Sequence, residues 1–268
     1  MGADIKSLRT RIKSVDSTLH LTKAMGLVAS SKIRRATLAM NKAREYQKAL
    51  VSALEDITAS PECAKSPYTL RRDTKRVRLV VIAGDRGLAG GYNANVFRLV
   101  RDLGQVDRII PIGKRACDRY KGSHNSAEIF TVEEGFEIAE ELCRDFVNGE
   151  YDELAIVRTK YVSVMTQEAE LFPLLPIARP EGAREQGTLF EPDPLTVLDA
   201  MVREYVAGMI CASVRESFAS EVAARRCAMD SAGKNAQQMI DTLQLSYNRA
   251  RQGAITQEIT EIVAGSGE

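Results

Sequence analysis

The segment with the composition of a reactive loop is Gly84-Asp85-Arg86-Gly87-Leu88-Ala89-Gly90-Gly91, which follows a β-branched run and precedes a helical spacing. Glycines between a strand and a helix can present backbone amides to a phosphate. The match to such a loop is loose. No Lys-Ser/Thr follows, which excludes a Walker A loop, and the glycine spacing misses G-x-G-x-x-G. The alternative is a tight turn whose glycines supply positive φ, with Asp85 and Arg86 as a candidate pair, and this reading carries more weight. Other residue types capable of chemistry are scattered. The five cysteines (Cys63, Cys117, Cys143, Cys211, Cys227) are never in C-x-x-C spacing, and His20 and His124 lie far apart. No zinc site is predicted, and a reducing compartment fits. With no Ser/His/Asp set and no paired carboxylates, no catalytic residue, metal or cofactor is expected in this chain.

Charge narrows the partners. The 268 residues carry 37 Lys+Arg against 36 Asp+Glu, a net +1, which speaks against a general polyanion binder. The balance hides a split, because residues 1–58 hold 11 Lys/Arg and only 5 Asp/Glu. That segment has a single aromatic, Tyr46, and no nucleic-acid reading motif. Its basic residues are therefore read as a solvated helix face or, around Lys23–Arg35, as a face that steers an acidic protein partner. No apolar run approaches the roughly 18–20 residues that cross a bilayer. The first residues lack the features of a leader, and Lys6 stands where the myristoylation pattern has Ser or Thr.

The elements that must position these residues are legible in the spacing. From Ile5 a 3,4-spaced seam runs through Leu8, Ile12, Val15, Leu19, Thr22, Gly26, Ala29, Ile33, Ala36, Met40, Ala43, Gln47, Leu50, Leu54 and Ile57, without a proline before Pro61. All but Thr22, Gly26 and Gln47 are apolar, so residues 1–58 are predicted to form one coiled-coil helix, roughly 80 Å long at 1.5 Å per residue. The small members of the seam are expected to let a partner helix approach closely. That partner is the other long stretch, 194–264, which has no proline after Pro194. There a seam starts at Leu195, Leu198, Val202, Tyr205, Met209 and Ala212. It loses contrast through Glu216–Gly233 and returns as Ala236, Ile240, Leu243, Tyr247, Ala250 and Ala254. Two such helices from opposite chain ends pair best antiparallel.

Between them, residues 75–175 alternate strand and helix signals. Strands are predicted at Arg76–Ala83, Arg108–Ile112, Ala127–Thr131 and Glu153–Thr159, and an antiparallel edge strand within Val162–Phe172. Helices are predicted at Ala94–Leu103, Lys114–Tyr120 and Glu133–Phe146. The predicted class is α/β: a long antiparallel coiled coil of N- and C-terminal helices with a central Rossmann-like α/β domain. Residues 176–194, with four prolines and two glycines, read as a linker or exposed loop. At the far end, Ile255, Ile259 and Ile262 share a face that differs from the Tyr247/Ala250/Ala254 seam. A helix tip that is apolar on more than one side calls for burial all round, and a separate protein sleeve fits that need better than docking on its own domain.

These residues carry a resemblance to the gamma subunit family of F-type ATP synthases, of the bacterial type. The matching runs are Leu21-Thr22-Lys23-Ala24-Met25 with Val28-Ala29-Ser30-Ser31-Lys32, Asp85-Arg86-Gly87-Leu88-Ala89-Gly90-Gly91-Tyr92-Asn93, and Glu191-Pro192-Asp193-Pro194. At the C-terminal end they are Tyr247-Asn248-Arg249-Ala250-Arg251-Gln252 and Ile255-Thr256-Gln257-Glu258. The resemblance extends over essentially the whole chain. It departs at Gly265-Ser266-Gly267-Glu268, where the family commonly continues Gly-Ala. The cysteine-bearing regulatory insert of chloroplast relatives is absent.

The resemblance implies a non-catalytic central rotor shaft of an F1Fo synthase. Such a shaft couples transmembrane proton flow to ATP synthesis and hydrolysis at the beta subunits, and regulates that ATPase. The implied partners are an alpha3beta3 hexamer, the epsilon subunit and the c-ring of Fo, on the cytoplasmic face of a bacterial plasma membrane, with the chain held there peripherally. By matching position, Lys23, Met25, Arg225, Arg251, Gln252, Thr256 and Glu258 would contact beta. Ile255, Ile259 and Ile262 would form the bearing tip, and Glu191 would lie at the c-ring foot. Competing readings are a free nucleotide-binding enzyme built on the 84–91 loop and a coiled-coil scaffold or nucleic-acid binder.

Overall fold

The computed structural model describes residues 2–72, 76–104, 106–122, 124, 126–179 and 188–265, with side chains from Ile5. Part of the expected linker (180–187), the first residue of the expected α/β domain and the terminal Ser266–Glu268 lie outside the described residues. In chain order the elements are α1 (Gly2–Thr58), β1 (Val77–Ile82), α2 (Tyr92–Asp102), β2 (Arg108–Ile112) and α3 (Lys114–Tyr120). They continue with α4 (Val132–Val147), β3 (Glu153–Tyr161), β4 (Gln167–Leu175) and α5 (Pro194–Gly265). The chain divides into two compact units, Met1–Ser30 with Arg225–Glu268, and Ser31–Ala224.

In the smaller unit the ends of α1 and α5 run antiparallel. Leu19 packs with Ala236 and Ile240, while Gly26, further along α1, faces Met229, further back along α5. No member of the α1 seam from Ile5 to Ile57 is exposed, whereas most residues between them are. The 3,4 spacing is thus a true packing stripe. One detail differs from expectation. A Cβ added at Gly26 would stand 3.6 Å from the Cβ of Met229, an ordinary contact, so this glycine is not what allows the approach.

In the larger unit the four-stranded sheet has the order β2-β1-β3-β4, with β1 parallel to β2 and β3, and β3 antiparallel to β4. Both faces are covered. Leu79 and Val81 face Val96, Val100 and Ala116 of α2 and α3. Val80 and Ile82 face a larger core built from α4, α5 and the end of α1 (Leu50, Leu54). Burial on both sides explains why β1 reads as an apolar run without alternation from Leu79 onward. α1 and α5 are antiparallel here as well: Ala36 and Met40 pack with Ala219, while Leu50 and Tyr46 close on Gly208. Gly208 is the tight point, since a Cβ there would lie 2.3 Å from Leu50 Cδ1.

Three expectations are corrected. Ala127–Thr131 is not a strand but a series of bends, because Asp85 takes the amide hydrogens of Ala127 and Glu128 that a sheet partner would need. The edge strand starts at Gln167, and residues 162–166 form the turn, with Ser163 Oγ accepting from the Met165 and Thr166 amides. Leu195 stands exposed in the first turn of α5, so the buried seam opens at Leu198.

Candidate functional site

The 84–91 loop leaves the C-terminal end of β1, where an α/β sheet commonly places a ligand. Side chains from outside the loop occupy its first amides, and its own carboxylate, Asp85, ties it to residues 114–128. Asp85 Oδ1 accepts from the Lys114 and Ala127 amides at 3.1 and 2.9 Å. Its Oδ2 accepts from Ser126 Oγ and the Glu128 amide at 2.8 and 3.0 Å. The amides of Asp85 and Arg86 each point to the buried Glu221 carboxylate of α5 at 3.4 Å, and the Gly84 amide donates to Asn93 Oδ1 at 2.9 Å. A phosphate placed here would meet a buried carboxylate rather than open amides, which argues against the phosphate cradle and for the structural turn. Gly84 is needed for that fit, since a Cβ would come within 2.7 Å of Glu221 Cδ. The positive φ values fall on Leu88 (59°) and Gly90 (58°). Among the described residues no cluster of His, Cys, Asp or Glu could hold a metal ion.

Expected partner residues fall into three places. In the smaller unit, Lys23 is exposed, while Met25 and Arg225 are half-buried. Lys23 lines a groove of about 570 Å³ between α1 and α5, together with Thr22, Gly26, Arg226, Met229 and Gly233. Leu21, Leu27 and Val28 are exposed on α1 near it, an apolar surface with cations at its margin. The second place is the end of α5. Burial fades from Ala236 and Ile240 through the half-buried Leu243, Tyr247, Ala250 and Ala254 to exposed positions from Ile255 onward. Ile255, Ile259 and Ile262 are 46, 56 and 70% exposed. At about 100° per residue they form one stripe, with Arg251 and Glu258 on one flank and Gln252 and Thr256 on the other. All four flanking residues are exposed, and Thr256 Oγ1 donates to the Gln252 carbonyl at 3.0 Å. The structure therefore brings seven of the expected residues onto one helix end, where none of the described residues buries that apolar stripe.

The third place is the exposed Glu191, just ahead of α5. Two residues on, Asp193 caps that helix. Its carboxylate accepts from the Thr196 amide at 2.9 Å and from Thr196 Oγ1 at 2.7 Å, which holds its pKa below the usual carboxylate range. With Pro194 as the first helical residue, the Glu-Pro-Asp-Pro run is a helix start.

Two buried carboxylates that sequence reading missed, Glu216 and Glu221, lie in the stretch of α5 where the apolar seam fades. The available signal was polar residues recurring at 213, 216, 217, 220 and 221 in a proline-free helix, a second stripe at helical spacing.

An ATP synthase family model matches residues 4–267. The ATP synthase gamma chain of Ruminococcus albus is 40% identical over 281 residues, covering 98% of each chain. The chain belongs to the ATP synthase gamma chain family. The gamma chain of Alkaliphilus metalliredigens is likewise 40% identical, over 99% of each chain, and the gamma chain of Acetobacterium woodii, described as sodium ion specific, is 36% identical over 99% of each. Among solved structures, a chain from the Euglena gracilis mitochondrial ATP synthase assembly of OSCP, F1 and c-ring matches with a TM-score of 0.70 at 18% identity. The match covers 99% of this chain and 94% of that one. A chain of the Tetrahymena thermophila central stalk and c-ring matches with a TM-score of 0.62 at 21% identity, covering 79% and 99%. At those identities the likeness is one of fold, which the gamma-chain helices and sheet share. No helix among the described residues is long and apolar enough to cross a membrane.

Proposed function

We propose that this chain is the central rotor shaft of an F1Fo ATP synthase, coupling transmembrane proton flow to ATP synthesis and hydrolysis at the beta subunits and regulating that ATPase. The observation that carries the reading is an apolar tip left exposed on α5 in a chain that belongs along its whole length to the gamma chain family. Its partners are the alpha3beta3 hexamer, the epsilon subunit and the c-ring, and it is held at the cytoplasmic face of the bacterial plasma membrane through them. It carries no catalytic residue, cofactor or metal; the filled 84–91 loop supports that. Residues 1–58 and 194–264 serve as the shaft helices and 75–175 as the α/β part.

Ile255, Ile259 and Ile262 enter an apolar bearing formed by the hexamer, which gains what the isolated chain leaves in water, at about 25 cal/mol per Å² of apolar area covered. Arg251, Gln252, Thr256 and Glu258 meet beta around that tip. Lys23, Met25 and Arg225 meet an acidic segment of beta lower down. Glu191 lies near the polar loops of the c-ring. One elementary charge falling through 100 mV is worth about 2.3 kcal/mol, so several ions per step load the shaft with on the order of 10 kcal/mol. That is comparable to the stability of an ordinary domain, about 5–15 kcal/mol. A helix pair held in a surrounding sleeve withstands it where a bare pair would unravel. An asymmetric shaft making different contacts with three identical sites biases them into different states.

Affinity purification of the tagged chain from membranes, with identification of the bound subunits, tests the reading. Alpha, beta, epsilon and c subunits in one ATPase-active assembly are expected. Purification as a free chain that binds ATP or NAD stoichiometrically in equilibrium dialysis would overturn it.

A further inference from the structure

Within the larger unit, one face of α5 carries Ser213, Glu216, Ser217, Ser220 and Glu221, each no more than 3% exposed. Their positions follow i, i+3, i+4, i+7 and i+8, so they form a single polar stripe inside the protein. The stripe is joined mainly to main-chain atoms. Glu216 Oε1 accepts from the Tyr161 amide at 3.1 Å, and Ser217 Oγ accepts from the Thr159 amide at 3.2 Å. Ser220 Oγ donates to the Thr159 carbonyl at 3.3 Å, and Glu221 faces the Asp85 and Arg86 amides. From α2, the Tyr92 hydroxyl donates to the Ser217 carbonyl at 2.9 Å.

Two arginines tie this stripe to other elements. Arg158 of β3 reaches Glu216 Oε2 at 3.5 Å, Ser213 Oγ at 3.3 Å and Glu170 of β4 at 2.8 Å, with its guanidinium stacked 4.4 Å over the Phe172 ring. Arg44 of α1 donates both to Glu216 Oε1 at 2.5 Å and to the Tyr161 carbonyl at 2.8 Å. Glu216 is thus the point where α1, α5 and the β3–β4 hairpin meet, through one carboxylate whose side chain is 4% exposed.

Such groups do not repay their burial in stability. Removing charges from water is costly, and apolar residues of equal volume commonly hold a fold at least as well. What directional bonds supply is position. An apolar seam can slide by one helical turn, about 5.4 Å, and still find apolar neighbours. A hydrogen bond stretched beyond about 3.5 Å or bent towards 100° is lost. The stripe fixes both the rotation and the height of α5 against β3 and the glycine loop, and Arg44 does the same for α1.

We propose that this buried stripe, centred on Glu216 with Arg44 and Arg158, is the torque lock of the chain: the contact that stops the two shaft helices turning or sliding against the α/β sheet under load. The proposal rests on the rotor reading and names the residues that would make the rotor stiff. They are positioning residues and touch no nucleotide.

The test uses the assembled complex carrying Arg44→Met/Glu216→Met/Arg158→Met, and separately Glu216→Gln and Ser217→Ala/Ser220→Ala. For each, the angular fluctuation of a bead on the rotor, ions pumped per ATP, and thermal melting are measured. The expected result is at least a twofold wider angular variance and a pumping ratio reduced at least twofold, with hydrolysis by the detached F1 part within twofold of the parent. The triple apolar variant is expected to melt at or above the parent temperature, because a purely stabilising role would move melting and stiffness together and a positioning role separates them. Unchanged variance and pumping in an assembled variant would overturn the proposal, as would variance that widens only in step with a falling melting temperature. If the triple variant does not assemble, the same twofold criterion is applied to the two milder variants. Failure of the rotor reading itself would show differently, as absence of rotation in the parent complex.

Discussion

Replacing Asp85 by Asn exchanges one oxygen for an NH₂ and removes one charge, yet the geometry makes it a severe substitution. The carboxylate accepts four bonds, from the Lys114, Ala127 and Glu128 amides and from Ser126 Oγ, at 2.8–3.1 Å. An amide retains one oxygen, which continues to serve Lys114 and Ala127, and it turns an NH₂ towards Ser126 and Glu128. The serine hydroxyl can rotate to accept; the Glu128 amide cannot, and it is left facing a donor. A bond to a charged group is worth about 1.5–3 kcal/mol and a neutral one about 0.5–1.5. Losing one bond outright and weakening the remainder sums to about 3 kcal/mol. Each 1.4 kcal/mol is tenfold in an equilibrium constant, so local opening of this region rises by about 100-fold. Hydrogen exchange on peptides covering 113–131, in the assembled complex, measures this directly. Protection of the Ala127, Glu128 and Lys114 amides is expected to fall by about that factor, while the helix-pair peptides of 5–30 and 225–254 stay unchanged. Protection within threefold of the parent would refute the reasoning that Asp85 holds this loop. An altered affinity for nucleotide with protection intact would revive the phosphate-binding reading.

Other outcomes follow from the same contacts. Gly253→Ala is expected to stabilise by about 0.5–1 kcal/mol, since nothing lies within 4 Å of the added Cβ and alanine is the better helix former. Gly208→Ala is expected to destabilise by about 1–3 kcal/mol through its clash with Leu50, and urea unfolding of the two variants that showed equal shifts would contradict the packing account. Burial lifts the Cys211 thiol to about 11, so its alkylation should rise about tenfold per pH unit between 7 and 10; a profile that levels off near 9, as for an ordinary thiol, would mean that the thiol is not buried as described. Met25→Lys, which sets a cation on a half-buried position of α1, is expected to lower ions pumped per ATP at least severalfold while leaving melting of the complex nearly unchanged. Unchanged pumping would count against placing Met25 at beta.

The α1 seam was legible because it is a local periodicity: sixteen positions spaced 3,4 without a proline leave one helix and one face to bury, and none of them is exposed in the structure. The start of α5 at Pro194 and the strands β1, β2 and β3 were legible for the same reason, since a proline and short apolar runs act within a few residues. The exposed isoleucine stripe at 255, 259 and 262 was visible too, because its angular offset from the seam is arithmetic on one helix.

What spacing could not convey was which distant atoms would answer a polar group. Ala127–Thr131 has a strand's composition, but its amides are taken by a carboxylate some forty positions earlier. The weak contrast of Glu216–Gly233 reflected, at its start, a helix buried against both α1 and the sheet, with a polar stripe paired to main-chain atoms of β3 and the glycine loop. Gly208, a poor helix former by type, is the place where Leu50 closes on α5. Periodicity reports which side of an element must leave water. Whether a glycine, a serine or a carboxylate on that side meets a side chain, a backbone amide or a counter-charge depends on residues brought near only when the chain folds, and only the tertiary structure decides it.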